Sequence, residues 1–77
     1  MLFPLNADTR WILGRGQMFC SRYANLLRKT GRDIPAKAEE EQAAVIYWFL
    51  ELYEFHGDKW RAEAERQIRA MVERKDA

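Results

Sequence analysis

The chain has 77 residues, 48% of them apolar and 32% charged, and its net charge is +1. This length predicts a single helical domain over residues 1–77, and the composition is typical of a folded protein rather than a disordered chain. The single cysteine, Cys20, excludes an internal disulfide framework and a cysteine-based zinc site. The nearly neutral charge disfavours nucleic acid as a partner.

No targeting or membrane segment is predicted. Residues 1–6 lack both a basic leader and a sustained apolar segment, so they do not predict a secretory signal. The longest apolar run, residues 43–50, is far shorter than the roughly 20 residues that a membrane-spanning helix needs. We therefore expect a cytoplasmic protein that does not enter a membrane.

The first predicted helix covers residues 9–29, whose apolar side chains recur at the spacing of an amphipathic helix. Gly14 and Gly16 weaken its first two turns, because each glycine costs about 1 kcal/mol relative to alanine. An alternative start lies near Gln17. In the longer helix, Gly16, Cys20 and Ala24 form a strip of small side chains against which another helix can lie closely. The predicted core face consists of Ile12, Gly16, Phe19, Tyr23, Leu26 and Leu27.

The second predicted helix covers residues 35–56, between turns that Gly31 and Gly57 can close. Its polar stripe can face water, but the remaining apolar arc of roughly 220° is too wide for one neighbouring helix to cover. The second helix is therefore predicted to lie between the other two. The polar stripe consists of Lys37, Glu40, Ala44, Tyr47, Glu51 and Glu54. The apolar arc is centred on Val45, Phe49 and Leu52, with Trp48 and Phe55 on one flank and Ile46, Leu50 and Tyr53 on the other.

The third predicted helix covers residues 59–74. On its outer face Glu65 precedes Arg69 by one helical turn, which is a favourable arrangement for an ion pair. The predicted fold is all-α, a compact three-helix bundle with the second helix central. The predicted core face of the third helix consists of Trp60, Ala64, Ile68, Met71 and Val72.

No catalytic, cofactor-binding or metal-binding residue is predicted, and neither is a small-molecule substrate. Cys20 and His56 fall at opposite levels of an antiparallel helix pair, so the cysteine has no histidine base and is interpreted as a buried small residue. His56 lies in a last turn, where it suits the helix dipole. The run 39–41 of three glutamates suits a first turn for the same reason, and it opposes docking of that helix on DNA. The chain is predicted not to be an enzyme.

A stripe beside the core face of the first helix mixes cations with large apolar groups, which are residue types enriched at protein interfaces. A solvated flank explains it equally well. A nucleic-acid alternative depends on Arg15, Arg22, Arg28, Lys29 and Arg32 and predicts a salt-dependent gel shift. The stripe consists of Trp11, Arg15, Met18, Arg22, Asn25 and Lys29.

The basic stripe of the first helix and the acidic stripe of the second can also meet between two copies of the chain. This hypothesis predicts a homodimer, with Ala44 and Tyr47 at the apolar centre of its interface. The predicted ion pairs join Glu40, Glu51 and Glu54 to Arg15, Arg22 and Lys29. Tyr47, Trp48 and Phe55 are further candidate positions for a partner, because two neighbouring helices do not account for all three.

These features favour a small non-enzymatic protein-interaction module that self-associates or binds a larger protein. The candidate partner-binding residues are Trp11, Arg15, Met18, Arg22, Lys29, Tyr47, Trp48 and Phe55. In size and composition the chain is similar to accessory proteins of bacterial prophages. That resemblance implies an alternative, a prophage-type accessory or inhibitor protein that acts on a host factor.

Overall fold

The computed structural model describes residues 4–73. Over this range the chain is helical, with no strand, and three of its helices form a bundle. Helix α3 contacts every other described element, which confirms the predicted all-α three-helix bundle with the second long helix at its centre. The elements are α1 (Ala7–Leu13), α2 (Gln17–Arg28), α3 (Ala38–His56), a single 3-10 turn (Gly57–Lys59) and α4 (Trp60–Glu73).

The prediction of one helix over residues 9–29 is wrong, because the chain forms two helices there. Asn6 caps α1 by accepting a hydrogen bond from the Thr9 backbone, while the Thr9 hydroxyl accepts one from the Asn6 backbone. This reciprocal capping starts α1 earlier than predicted. Gly14 ends α1, and a side chain there would lie 3.1 Å from the Arg10 carbonyl oxygen. The alternative start near Gln17 is confirmed for α2.

The small side chains of α2 lie on its buried face. Cys20 and Ala24 are fully buried, and Leu27 extends the same face. The predicted strip is therefore confirmed at Cys20 and Ala24, whereas Gly16 is exposed in the link before the helix. Opposite them, the predicted centre of the α3 arc is buried as well. It consists of Val45, Phe49 and Leu52.

Helix α3 begins at Ala38 rather than at residue 35. The preceding loop is held in a non-helical conformation by Arg28, whose guanidinium donates to the backbone carbonyls of Ile34 and Pro35. Lys37 occupies the cap position without a side-chain hydrogen bond, so the glutamates in the first turn are the groups that stabilise this end of the dipole. Gly31 and Gly57 both adopt positive φ, as their predicted positions at helix ends require.

One glutamate of the first turn of α3 also joins α3 to α2. Glu41 accepts hydrogen bonds from the Ser21 hydroxyl and from the Arg28 guanidinium, each at 2.8 Å. The pair is largely buried, with 13% of the Glu41 side chain exposed. These two bonds hold the pKa of Glu41 below its usual value of 4.5, and the bond from Arg28 has the larger effect.

This lowered pKa makes the stability of the fold depend on pH. The charged Glu41 carboxylate stabilises the folded state above pH 4.5, and the stabilisation is lost as pH falls through the lower folded-state pKa. Glu41→Gln is therefore expected to lower Tm at neutral pH, with a difference from the parent protein that shrinks in acid. Thermal unfolding followed by circular dichroism across this pH range measures the effect.

Glu40→Gln is the matched control for this experiment. Glu40 lies in the same first turn of α3 but is exposed and forms no ion pair within residues 4–73. Both substitutions remove a charge from the favourable end of the helix dipole, so the excess effect at Glu41 measures its bonds to α2. If the Tm of Glu41→Gln stays below that of the parent protein by the same amount down to strongly acidic pH, the prediction is wrong.

The wide apolar arc of α3 is covered by three neighbours instead of the predicted two. The additional neighbour is α1, whose Trp11 ring packs against Phe49. The residues on either side of α1 bond to α3 as well. The Asn6 side-chain amide donates to the Tyr53 hydroxyl at 3.0 Å, and Gln42 donates to the Arg15 carbonyl at 3.0 Å. The interruption after Leu13 thus allows a short helix to fold back over α3.

Helix α4 ends the described part of the chain at Glu73, and position 74 of the predicted helix lies outside it. Its predicted core face is confirmed at Trp60, Ala64 and Met71, which are buried, and Ile68 packs against the core at its edge. Val72 is 61% exposed, which corrects its assignment to the core. Each residue of a helix turns by about 100°, so Val72 lies at the edge of the face that Met71 buries rather than at its centre.

The outer face of α4 carries the predicted ion pair between Glu65 and Arg69, at 3.5 Å. Glu63 makes a second contact on this helix, with Arg66 and Gln67, and hydrogen bonds from these two side chains lower the pKa of Glu63 to about 2. None of the helices in the described part of the chain is long and apolar enough to cross a membrane.

Candidate interaction surfaces

The break between α1 and α2 divides the predicted stripe into two parts with different surroundings. Trp11 lies in α1 and Arg15 in the link, so neither continues the exposed face of α2. Trp11 packs against Phe19, Phe49 and Trp60, with ring centroids 5.7 to 5.8 Å apart. It is therefore a half-buried member of the aromatic core rather than a projecting side chain.

Arg15 is held against this aromatic cluster. Its guanidinium carbon lies 3.8 Å from the centroid of the Trp11 ring and 5.3 Å from that of Phe19, which are cation–π distances. Its Nε donates to the Trp11 carbonyl at 2.7 Å. No carboxylate within residues 4–73 pairs with it. Arg15 is thus an oriented cation whose charge the described chain does not neutralise.

The second part of the predicted stripe faces solvent, and we name it the α2 outer face: Met18, Arg22, Asn25 and Lys29. Met18 is 87% exposed, the largest value among the large apolar side chains described. Arg22 and Lys29 form no ion pair with any described residue. This face therefore presents an exposed apolar group beside two unpaired cations.

The exposed side of α3 has the opposite charge, and we name it the α3 outer face: Glu40, Ala43, Tyr47 and Glu54. Tyr47 is 61% exposed at its centre. Within residues 4–73, Glu40 and Glu54 have no cationic partner, whereas Glu51 lies 3.9 Å from Arg32. The water-facing stripe predicted for this helix is confirmed in its exposed members Glu40, Tyr47 and Glu54.

Trp48 and Phe55, predicted on one flank of α3, have different environments. Trp48 is 3% exposed and belongs to the core, so its assignment to a partner-binding surface is corrected. The reason is that the elements packed against α3 cover Trp48, and the helical projection of α3 alone does not predict such coverage. Phe55, at the end of the helix, is 78% exposed and borders a shallow hollow with Trp48, His56 and Gln67.

A third surface, which the sequence did not reveal, is a groove between α2 and α4 with a volume of about 350 Å³ that is open to solvent. Phe49 and Trp60 are the buried aromatic members of its lining, and Phe19 and Tyr23 are half-buried on the α2 side. Phe19 and Tyr23 were predicted as core residues. Their helical spacing indicates the face that they share, but it does not indicate that this face borders a groove. The lining consists of Trp11, Phe19, Tyr23, Phe49, Trp60, Arg61, Ala64, Glu65 and Ile68. We call it the aromatic groove.

The charges at the edge of the aromatic groove are not balanced. Arg61 lies 4.6 Å from the centroid of the Trp60 ring and 3.6 Å from the Asp8 carboxylate. Glu65 is paired with Arg69. Arg15, which lies over Trp11 and Phe19, has no acidic partner in the described chain. The uncompensated charge at this edge is therefore positive.

The residues with potential chemical reactivity do not assemble into a site. Cys20 is buried, and this burial raises the pKa of its thiol despite the nearby Arg15 charge. His56 is exposed at the carboxyl end of α3, and the glutamates 39–41 lie in the first turn of that helix. No group of three or more histidine, cysteine, aspartate or glutamate side chains within residues 4–73 is placed to hold a metal ion.

The cations of the nucleic-acid alternative are dispersed. Arg28 is engaged with the loop and Glu41, Arg32 lies near Glu51, and Arg15 stacks on Trp11. Only Arg22 and Lys29 of that set remain unpaired on a common face of the described chain. A protein that neutralises few phosphates gains little from counterion release. The nucleic-acid alternative remains a prediction.

Comparisons with protein-family models, with curated proteins and with solved structures find no match for this chain. The prophage-type alternative therefore stays a prediction.

Proposed function

We propose that the protein is a non-enzymatic protein-interaction module that self-associates, with the α2 outer face of one copy packed on the α3 outer face of another. The observation that supports this proposal is the separation of unpaired charges onto two exposed faces. Arg22 and Lys29 accompany exposed Met18 on α2, while Glu40 and Glu54 flank exposed Tyr47 on α3.

The spacing of these side chains allows both faces to meet in one register. Arg22 and Lys29 are separated by two helical turns, or about 10 Å, and Glu40 and Glu54 by about 21 Å with Tyr47 midway. When the midpoint of the two cations lies opposite Tyr47, each cation is about 5 Å along the helix from a glutamate. A long Arg or Lys side chain spans that distance, so both ion pairs can form around an apolar centre.

We propose that the two copies are related by a two-fold axis, so that each contact occurs twice. In an isologous dimer, the α2 outer face of each copy meets the α3 outer face of its partner. Exposed methionine and tyrosine are among the side chains enriched at interfaces, and the charges fix orientation and register more than they add affinity. The expected complex is therefore salt-sensitive and of modest affinity.

Paired charge reversals test the proposal. The variant with Arg22→Glu and Lys29→Glu makes both faces acidic, and the variant with Glu40→Lys and Glu54→Lys makes both basic. Each variant alone is expected to be monomeric, because like charges then face each other. An equimolar mixture is expected to form a heterodimer, because both contacts again join opposite charges. Multi-angle light scattering and sedimentation velocity at low salt measure the masses.

A matched control separates the specific contact from an effect of net charge. Arg10→Glu with Lys59→Glu changes the net charge by the same amount as Arg22→Glu with Lys29→Glu, at exposed positions outside both faces. This control should dimerise like the parent protein. A parent protein that is monomeric throughout the micromolar range at low salt refutes the proposal. So does a mixture of the two reversed variants that remains monomeric.

A further inference from the structure

The aromatic groove presents apolar surface that the described chain leaves uncovered. Trp11, Phe19, Tyr23 and Ile68 line it and are only partly buried, although they pack against the core. Val72, one turn beyond Ile68 on the same side of α4, is exposed and extends this apolar surface. Concave sites lined by aromatic side chains are typical of surfaces that receive large apolar groups from a partner.

The form of the groove favours a helix as its occupant. It runs between α2 and α4, so its two walls are helical, and a ridge of side chains from another helix can enter such a groove. An amphipathic helix anchors itself in this way through apolar residues at positions i, i+3 or i+4, and i+7. The volume of about 350 Å³ suits a small number of such anchors rather than a whole domain.

The charge at the edge of the groove indicates what the polar flank of that helix must carry. Arg15 is oriented by its stacking on Trp11 and by the bond from its Nε to the Trp11 carbonyl. Its terminal nitrogens have no carboxylate partner in the described chain. An arginine held in this way binds carboxylates well, because its planar donors need little further ordering.

We propose that the aromatic groove binds an acidic amphipathic helix of another protein. Apolar anchors of that helix occupy the space over Phe49 and between Phe19 and Ile68, and a carboxylate on its flank pairs with Arg15. This interaction is separate from self-association, because the groove shares no residue with the α2 and α3 outer faces. The two proposals can therefore fail independently.

Trp60 supplies a spectroscopic reporter for this site. Its indole Nε1 is the one buried side-chain polar atom within residues 4–73 that lacks a hydrogen-bond partner. Trp60 and Trp11 both line the groove, whereas Trp48 borders the separate hollow beside Phe55. A helix seated in the groove is expected to shift the indole ¹H–¹⁵N signals of Trp11 and Trp60 and to leave that of Trp48 in place.

Two displayed peptide libraries test the proposal. Both encode helices with apolar residues at i, i+4 and i+7, and they differ only in carrying glutamate or lysine at the flanking positions. The full chain is expected to enrich binders from the glutamate library and not from the lysine library. Equal enrichment from both, enrichment from the lysine library alone, or no enrichment from either overturns the proposal.

Titration of ¹⁵N-labelled protein with an enriched peptide then locates the contact. Arg15→Gln is expected to weaken binding at least tenfold, and Ile68→Gln to weaken it more strongly. Phe55→Gln, which likewise replaces an apolar side chain by glutamine but lies outside the groove, should leave the affinity unchanged. Tyr23→Ala serves as a second groove variant should Ile68→Gln fail to fold. The assignment is refuted if the affinity is unchanged in Arg15→Gln and in both groove variants. It is also refuted if the indole signal of Trp48 is the one indole signal that shifts.

Discussion

Replacing Phe49 by alanine is expected to destabilise the protein by about 3–5 kcal/mol, the usual range for loss of a buried phenylalanine. The Phe49 ring is 3% exposed and meets five aromatic rings of the described chain, at centroid distances from 4.9 to 6.3 Å. Those rings come from α1, α2, α3 and the start of α4, so one truncation removes packing from every helix. A domain of this size has a free energy of unfolding of roughly 4–11 kcal/mol, so Phe49→Ala removes a large part of the stability.

Phe55→Ala provides the matched comparison. It is the same chemical change in the same helix, but Phe55 is 78% exposed. Its effect is expected to stay within about 0.5 kcal/mol. Denaturant unfolding followed by circular dichroism gives both free energies, and Tm for Phe49→Ala should fall by at least about 12 °C. If both variants lose a similar amount of unfolding free energy, Phe49 is not the centre of the core.

Replacing Ala24 by leucine is expected to destabilise the protein by about 1–3 kcal/mol, although leucine is a good helix former. Ala24 is fully buried on the face of α2 that approaches α3, beside the equally buried Cys20. A larger side chain must push the two helices apart or leave its preferred rotamer. The separation of α2 from α3 also determines the distance between Glu41 and its donors Ser21 and Arg28, so overpacking strains this network too.

Ala62→Leu is the control for this prediction, because Ala62 lies on the exposed side of α4. Both substitutions exchange alanine for leucine within a helix, so their intrinsic helix propensities cancel. Thermal and denaturant unfolding should show a change within about 0.5 kcal/mol for Ala62→Leu. An Ala24→Leu protein as stable as the parent would show that α2 does not depend on small side chains for its position.

The helical fold and the central position of α3 follow from the sequence itself. The apolar arc around Val45, Phe49 and Leu52 is too wide for one neighbouring helix to cover, which predicts a position between other helices. The strip of small residues at Cys20 and Ala24 depends on side-chain volume, which is a local property. The turn at Gly57 depends on the backbone freedom of glycine, which is local as well. These features could be predicted because each is a property of a single segment.

Helix boundaries were predicted less well, because they depend on which competing hydrogen bond forms. The capping exchange between Asn6 and Thr9 begins α1, and the bonds from Arg28 to the loop carbonyls delay α3 until Ala38. In both cases a side chain offers the backbone an alternative partner at a helix end. Periodicity carries no information about such alternatives.

The residue pattern of the chain determined which helical faces are apolar, basic or acidic, including the opposite charges of the α2 and α3 outer faces. The tertiary structure alone decided that Trp11 packs into the aromatic core with Arg15 stacked on it, that Trp48 is covered, and that a groove opens between α2 and α4. The physical reason is that the periodicity of one helix determines which of its faces is apolar or charged. Whether a neighbouring helix covers that face, or leaves a groove beside it, depends on the distance between the two helices. The chain breaks after Leu13, and Trp11 packs against Phe49, where it forms part of the lining of the aromatic groove.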